Sequence, residues 1–393
     1  MPLPLYLLAV AVFAMGTSEF MLAGLVPAIA ASLDVSVGAA GLLTSAFAVG
    51  MVVGAPLMAA LARRWPARAS LLSFVLVFAA AHVVGALTTS FAVLLVTRVL
   101  AALANAGFLA VALSTAAALV ATDRKGRALA VLLSGTTVAT VAGVPGGAAL
   151  GTLLGWRSTF WAIALLCLPA AVGVVKGIPP RVGRAPRGAP AGASLRDEIA
   201  QLAMPRLVLV MLLGALVNAA TFATFTYLAP IVTGTAGLGD LWVPVALVLF
   251  GVGSFVGVTA AGRLADRRPR VVIAVGGPLL LLGWVALATL AARPVALLLL
   301  VFGQGALSFA LGGTLITRVL YEAAGAPTMG GSYATAALNV GAAGGPVVAA
   351  AALGAGAGDL GPVRVSGVLV AVALLVAVPL LRVVAPGAGR ATR

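Results

Sequence analysis

Glu19 sits in the middle of an apolar run, Leu5 to about Ala31, that carries no other charge. Of the 9 acidic residues, it alone falls inside a segment long enough to cross a bilayer. A carboxylate at the centre of a membrane helix costs roughly 2.5–3.5 kcal/mol on insertion scales. It must therefore face a partner or a wet cavity, or carry a proton. Arg98 is the one basic residue placed in the same way. A guanidinium keeps its proton, so it needs an anion, a carbonyl or water close by. His82 and Cys167 are the only residues of their types. On count they exclude a disulfide framework and a His/Cys metal site. His82 is expected to be a structural hydrogen-bonding residue and Cys167 inert packing.

These groups must be positioned by membrane helices. The chain has 393 residues, 62% hydrophobic and 8% charged, where a soluble domain carries about a quarter charged residues. Its mean hydropathy is +1.19. The apolar runs read as twelve spans, at about 5–31, 37–61, 69–88, 91–118, 128–151, 158–178, 206–232, 242–262, 271–291, 294–317, 329–353 and 364–384. The net charge of +15 lies mostly between them. The N-terminal side and the even-to-odd connections hold 20 of the 24 Lys and Arg; the other side holds Arg157, Arg293 and Arg364. The positive-inside rule then makes both termini cytoplasmic, and the basic charge marks topology, not a nucleic-acid surface. The first span lacks a basic leader and contains Glu19, so it reads as a helix that stays in the chain and not as a cleaved signal. Two lysines against 22 arginines indicate a GC-rich bacterial genome, and hence an inner (cytoplasmic) membrane.

The expected fold is all-α and integral to the membrane, with twelve helices in two parallel six-helix repeats. A Pro-, Gly- and Arg-rich connection divides the chain into residues 1–178, a cytoplasmic linker 179–205, and residues 206–393 with a short tail. Within the linker, Ser194 to Glu198 has the composition to start a short interfacial helix. A shift of 203 residues superposes Pro27 on Pro230, Gly50 on Gly253, Gly54 on Gly257, Arg64 on Arg267 and Pro66 on Pro269. A shift of 201 superposes Gly143 on Gly344 and Pro145 on Pro346. Parallel repeats of this kind fit halves that rock around a midplane site.

Several stretches carry a family likeness. Gly262-Arg263-Leu264-Ala265-Asp266-Arg267-Arg268-Pro269-Arg270 resembles the loop signature of the major facilitator superfamily. The resemblance implies a gating role for Gly262, Asp266, Arg267 and Arg270, which clamp helix ends in one transport state. The first-half counterpart, Leu61-Ala62-Arg63-Arg64-Trp65-Pro66, carries Arg63 in place of the acid. Leu94-Leu95-Val96-Thr97-Arg98 resembles the superfamily's intramembrane arginine motif. Gly135 and Gly143-Val144-Pro145-Gly146-Gly147 resemble the signature of its antiporters, and imply a pliable hinge in span 5. Met15 to Pro27 is similar to the first span of bacterial twelve-span drug:proton antiporters, most of all the chloramphenicol-resistance exporters.

Depth connects the two buried charges. Glu19 lies about 14 residues, roughly 21 Å, into its span, and Arg98 about seven residues, roughly 10 Å, from the opposite edge. In a core about 30 Å thick these heights coincide. The superfamily places spans 1 and 4 side by side, so Glu19 and Arg98 are expected to be coupled as the proton site. Asn105, Asn218, Tyr227, Gln304, Tyr333 and Asn339 are polar candidates for a substrate cavity. Phe20, Met21, Phe108 and Phe222 are apolar ones.

The resemblance implies a proton-coupled secondary transporter that exports a small amphiphilic drug, foremost chloramphenicol. The alternative is export of a sugar or another metabolite by the same fold. An enzyme and an ATP-driven pump lack support, since no catalytic cluster or phosphate-binding loop is present. A passive channel would need neither the hinge nor a lone acid. The expected partners are the drug, protons and lipid, with no cofactor, metal or nucleic acid, and a monomer as the working unit.

Overall fold

A backbone in hydrocarbon must satisfy its hydrogen bonds within its own segment, which turns each apolar run into a helix. The computed structural model describes residues 2–61, 66–121, 124–179, 195–264, 269–326 and 329–378. Its long helices follow the expected spans. They are α1 (Leu3–Gly24), α2 (Val37–Leu61), α3 (Ala67–Leu87), α4 (Phe91–Ala118), α5 (Arg127–Leu154) and α6 (Trp156–Gly177). The second set is α7 (Pro205–Thr226), α8 (Trp242–Leu264), α9 (Pro269–Leu290), α10 (Pro294–Glu322), α11 (Gly330–Gly354) and α12 (Gly361–Ala377). Eleven are long and apolar enough to cross a membrane; α12 is shorter as described, and its expected end near 384 lies outside the described residues.

Two spans expected to be continuous are interrupted, at equivalent places in the repeat. The last turn of α1 tightens to a 3-10 helix over Met21–Gly24, and a separate helix, Val26–Leu33, follows. Its counterpart α7 stops before Tyr227 and continues through Leu228–Pro230 into a π-helical turn, Ile231–Thr235. Pro27 and Pro230 explain the location. Each lacks the N–H that would bond to the carbonyl four residues earlier. Pro145 acts likewise in α5, where the turn before it, Ala139–Gly143, is π-helical.

Apolar side chains gather into two main cores, one among α1–α6 and one among α7–α12. The two sets of helices touch along α2–α11 and α5–α8. Ser45 Oγ donates to the Ala343 carbonyl at 2.8 Å, and Gly38 lies against Ala350. On the other seam, Gly251 of α8 sits against the carbonyl of Thr140, in the π turn of α5. These contacts run from mid-height toward the end away from the basic loops. At the basic end, the short linker helix Leu195–Ala200 lies against α11: Glu198, 1% exposed, accepts from the Met329 N–H at 2.9 Å. That bond caps a helix N-terminus with a carboxylate, a favourable pairing with the helix dipole.

Candidate functional site

The break in α1 builds a binding site for a guanidinium. The final carbonyls of a helix have no partner within it, and Ser18 stands in that last turn before Met21. Arg98 of α4 takes the Ser18 carbonyl with Nη2 and the Ser18 hydroxyl with Nη1, both at 2.8 Å. Its guanidinium also lies over the Phe47 ring, 4.5 Å from the centroid, a cation–π contact from α2. Arg98 is only 1% exposed. Two charge-assisted hydrogen bonds and an aromatic face hold a cation that lipid alone would reject.

The same hydroxyl reaches α3. Ser18 Oγ is 2.7 Å from His82 Nε2, and His82 Nδ1 is 2.7 Å from the Phe78 carbonyl. A carbonyl only accepts, so Nδ1 carries the proton and donates. Nε2 then accepts from the Ser18 hydroxyl, which in turn accepts from Arg98. The result is one directed chain, Arg98 to Ser18 to His82 to Phe78. The expectation of a hydrogen-bonding His82 matches this geometry; its link to Arg98 was not anticipated. Ser18 was missed, although its place beside Glu19 was the available signal.

Glu19 itself is half-buried. Arg98 reaches α1 at the residue before Glu19 and bonds to that residue, not to the Glu19 carboxylate. Beside Glu19, Phe20 meets Phe222 of α7 at 5.7 Å between ring centroids and Phe225 at 6.3 Å. The rings continue through Phe250 of α8, 4.7 Å from Phe225, to Phe309 of α10. The residue next to the acid thus joins an aromatic wall that continues into the other half, a surface suited to a planar apolar ring.

The other expected lining residues have partners within the protein, and Tyr227 and Gln304 also line cavities. Met21 and Phe108 are fully buried in the first core. Asn105 donates to the Met51 sulfur, Asn218 to the Leu338 carbonyl, Gln304 to the Leu280 carbonyl and Asn339 to Thr335 of its own helix. Tyr333 donates to the Glu198 carbonyl at the basic end. Tyr227 donates to the carbonyls of Gly38 and Pro346 where α2 meets α11. For Asn218, Gln304, Tyr227 and Tyr333 the physical reason is the same. An amide or hydroxyl inside the membrane that finds a backbone carbonyl on a neighbour avoids the cost of burial unpaired.

The glycines of α5 serve close contact. A side chain at Gly135 would strike the Ala9 carbonyl of α1, and one at Gly143 the Thr17 hydroxyl. Gly147 faces Thr159 of α6, whose hydroxyl donates to its carbonyl at 2.8 Å, while Gly146 is open. Pro145 follows the π turn directly. Of the gating loop, Gly262 lies in α8 and Arg270 is exposed at the start of α9; Asp266, Arg267 and Arg63 lie outside the described residues.

The comparisons with known proteins agree with this architecture. The family model described as Major Facilitator Superfamily matches residues 8–346. The chain is 75% identical over 388 residues to the chloramphenicol resistance protein of Streptomyces lividans, covering 99% of this chain and 98% of the relative. It is 33% identical to the inner membrane transport protein YdhP of Escherichia coli K12, covering 90% of each chain. Among solved structures, a bacterial homolog of the human lysosomal transporter Spinster, inward-facing and unoccupied, superposes with a TM-score of 0.78 at 19% identity, covering 97% of this chain and 96% of that one. The nucleoside transporter NupG gives the same score at 14% identity, covering 97% and 99%. With a family model spanning most of its length and relatives matched end to end, the chain belongs to the Major Facilitator Superfamily.

Proposed function

We propose that this protein is a proton-coupled exporter of a small amphiphilic drug, chloramphenicol foremost, working by alternating access in a bacterial inner membrane. The observation that carries the reading is a half-buried acid, Glu19, next in the chain to Phe20, whose ring packs on Phe222 of the other half. A group in that place can hold a proton in one arrangement of the halves and give it up in another. The aromatic wall offers a surface to a neutral ring, and the likeness to a chloramphenicol resistance protein points to the substrate. An apolar wall of this kind, with its carboxamides turned to backbone carbonyls, disfavours a sugar.

The moving units are residues 1–178 and 206–393, joined by the linker 179–205, with one copy of the chain as the working unit. The basic end is cytoplasmic, as the positive-inside rule requires. On that orientation the contacts between the halves close the outer side, which is the arrangement of an inward-facing carrier. The π turn before Pro145 is the hinge, because its backbone is already departed from regular helix where Gly251 bears on it.

The test is chloramphenicol uptake into everted membrane vesicles energised by respiration, with and without a protonophore. Uptake that collapses with the protonophore supports the reading. Uptake that survives it, or no uptake at all, overturns it.

A further inference from the structure

We propose that His82 is a positioning residue of the transport cycle, which sets where Arg98 stands relative to Glu19 through the hydroxyl of Ser18. The inference deepens the proton-coupled reading above and rests on it.

The hydroxyl of Ser18 has one proton to direct. With His82 Nε2 accepting it at 2.7 Å, the oxygen lone pairs are turned toward Arg98 Nη1 at 2.8 Å. His82 is fixed for that task on its other side, where Nδ1 donates to Phe78. Phe78 and Phe160 hold the ring in place, with centroids at 4.3 and 5.7 Å. Every atom of the imidazole that can form a hydrogen bond is thus committed, and the ring is 1% exposed.

Arg98 is less completely satisfied. Both terminal nitrogens are spent on Ser18, while its Nε is buried without a partner. Without the hydroxyl's lone pair, Arg98 keeps only its bond to the Ser18 carbonyl, and the looser guanidinium can turn toward the carboxylate of Glu19, one residue along.

The charged and titratable groups facing His82 are few. Arg98 comes from α4, and Glu19 from α1 beside Ser18. From α6 the ring meets only Phe160, with Cys167 seven residues further along that helix, roughly 10 Å at 1.5 Å per residue. Arg98 and Phe160 offer the Ser18 hydroxyl no acceptor, and Glu19 could take it only by turning it away from its present direction. Loss of that acceptor frees Arg98 to pair with Glu19, and a proton must then break an ion pair to load.

The experiment uses the full chain in proteoliposomes, with chloramphenicol uptake driven by an imposed pH gradient and initial rates taken over a pH series. His82→Leu should move the half-maximal rate toward lower pH by about half a unit or more. Ser18→Ala should do the same, and the double variant should shift no further than either alone. His82→Gln, whose carboxamide oxygen still accepts, should keep the parent profile. Should His82→Leu not accumulate in the membrane, His82→Phe, which keeps a ring and has no acceptor, takes its place. Profiles identical to the parent, or shifts that add in the double variant, overturn the inference and leave the export reading intact. A parent protein with no gradient-driven uptake overturns the export reading itself.

Discussion

The Tyr227 hydroxyl donates across the boundary between the two halves to the carbonyl of Gly38, at 3.0 Å, while also approaching the Pro346 carbonyl at 3.2 Å. Its ring fills the space that a side chain at Gly41 would occupy. In the repeat its position corresponds to Gly24, which lies against Ala148 and Leu247 on the other seam. One seam is therefore bolted by a hydrogen-bonding ring, while at the equivalent place the other is closed by apolar contact around a glycine.

That asymmetry makes the outer seal sensitive to a single oxygen. Tyr227→Phe keeps the ring and removes a bond worth about 1 kcal/mol net. The population opened to the outer side should rise about fivefold. Ala349 is fully buried where α11 meets the first core, so Ala349→Cys in a Cys167→Ala background reports the opening. Its labelling by a membrane-impermeant thiol reagent should accelerate by that factor, and an unchanged rate would refute the latch.

Gly143 and Gly146 share one motif but meet different surroundings. Gly143→Ala places a methyl group on the Thr17 hydroxyl and forces α1 and α5 apart, at a cost of about 1–3 kcal/mol. Gly146→Ala enters open space. The melting temperature in detergent should fall for the first and stay at the parent value for the second. Equal effects would show that the motif is not read through α1.

The span pattern was legible because hydrocarbon admits helices and little else, and Glu19 and Arg98 stood out because charge there is costly. The partners of those charges were not legible. Depth brought Arg98 to the level of Glu19, but the choice of Ser18 over the carboxylate depends on α1 ending its regular turn at Met21. A residue count along a straight helix does not contain that break, although Pro27 hinted at it. The partners of the polar residues Asn105, Gln304 and Tyr333 were not legible for a related reason. Sequence shows that a side chain needs a partner in the membrane and not which backbone carbonyl supplies it.

Glu198 fastens the linker helix to the start of α11, and this is open to proteolysis. Glu198→Ala leaves the Met329 N–H without its acceptor, a loss of about 1–3 kcal/mol for a buried group. Arg196 lies two residues earlier and is exposed. Trypsin cleavage after Arg196 should then accelerate roughly tenfold, through easier local opening of the helix. Cleavage at the parent rate would mean that the bond from Tyr333 to the Glu198 carbonyl suffices to hold the linker.

Glu19→Gln separates carrying a proton from shaping the cavity. The carboxamide has the size and hydrogen-bonding groups of the protonated acid but cannot lose a proton. Phe222 occupies the equivalent place in the second repeat, so no acid stands there to take over. Gradient-driven uptake of chloramphenicol should fall to the leak of protein-free liposomes. Exchange of labelled for unlabelled drug, which requires rocking but no net proton, should persist within about twofold of the parent, as expected where ground-state binding is unchanged. Loss of both activities would make Glu19 a drug-binding or structural residue. Retention of both would remove it from the proton path and leave Arg98, with its chain to His82, serving some other step.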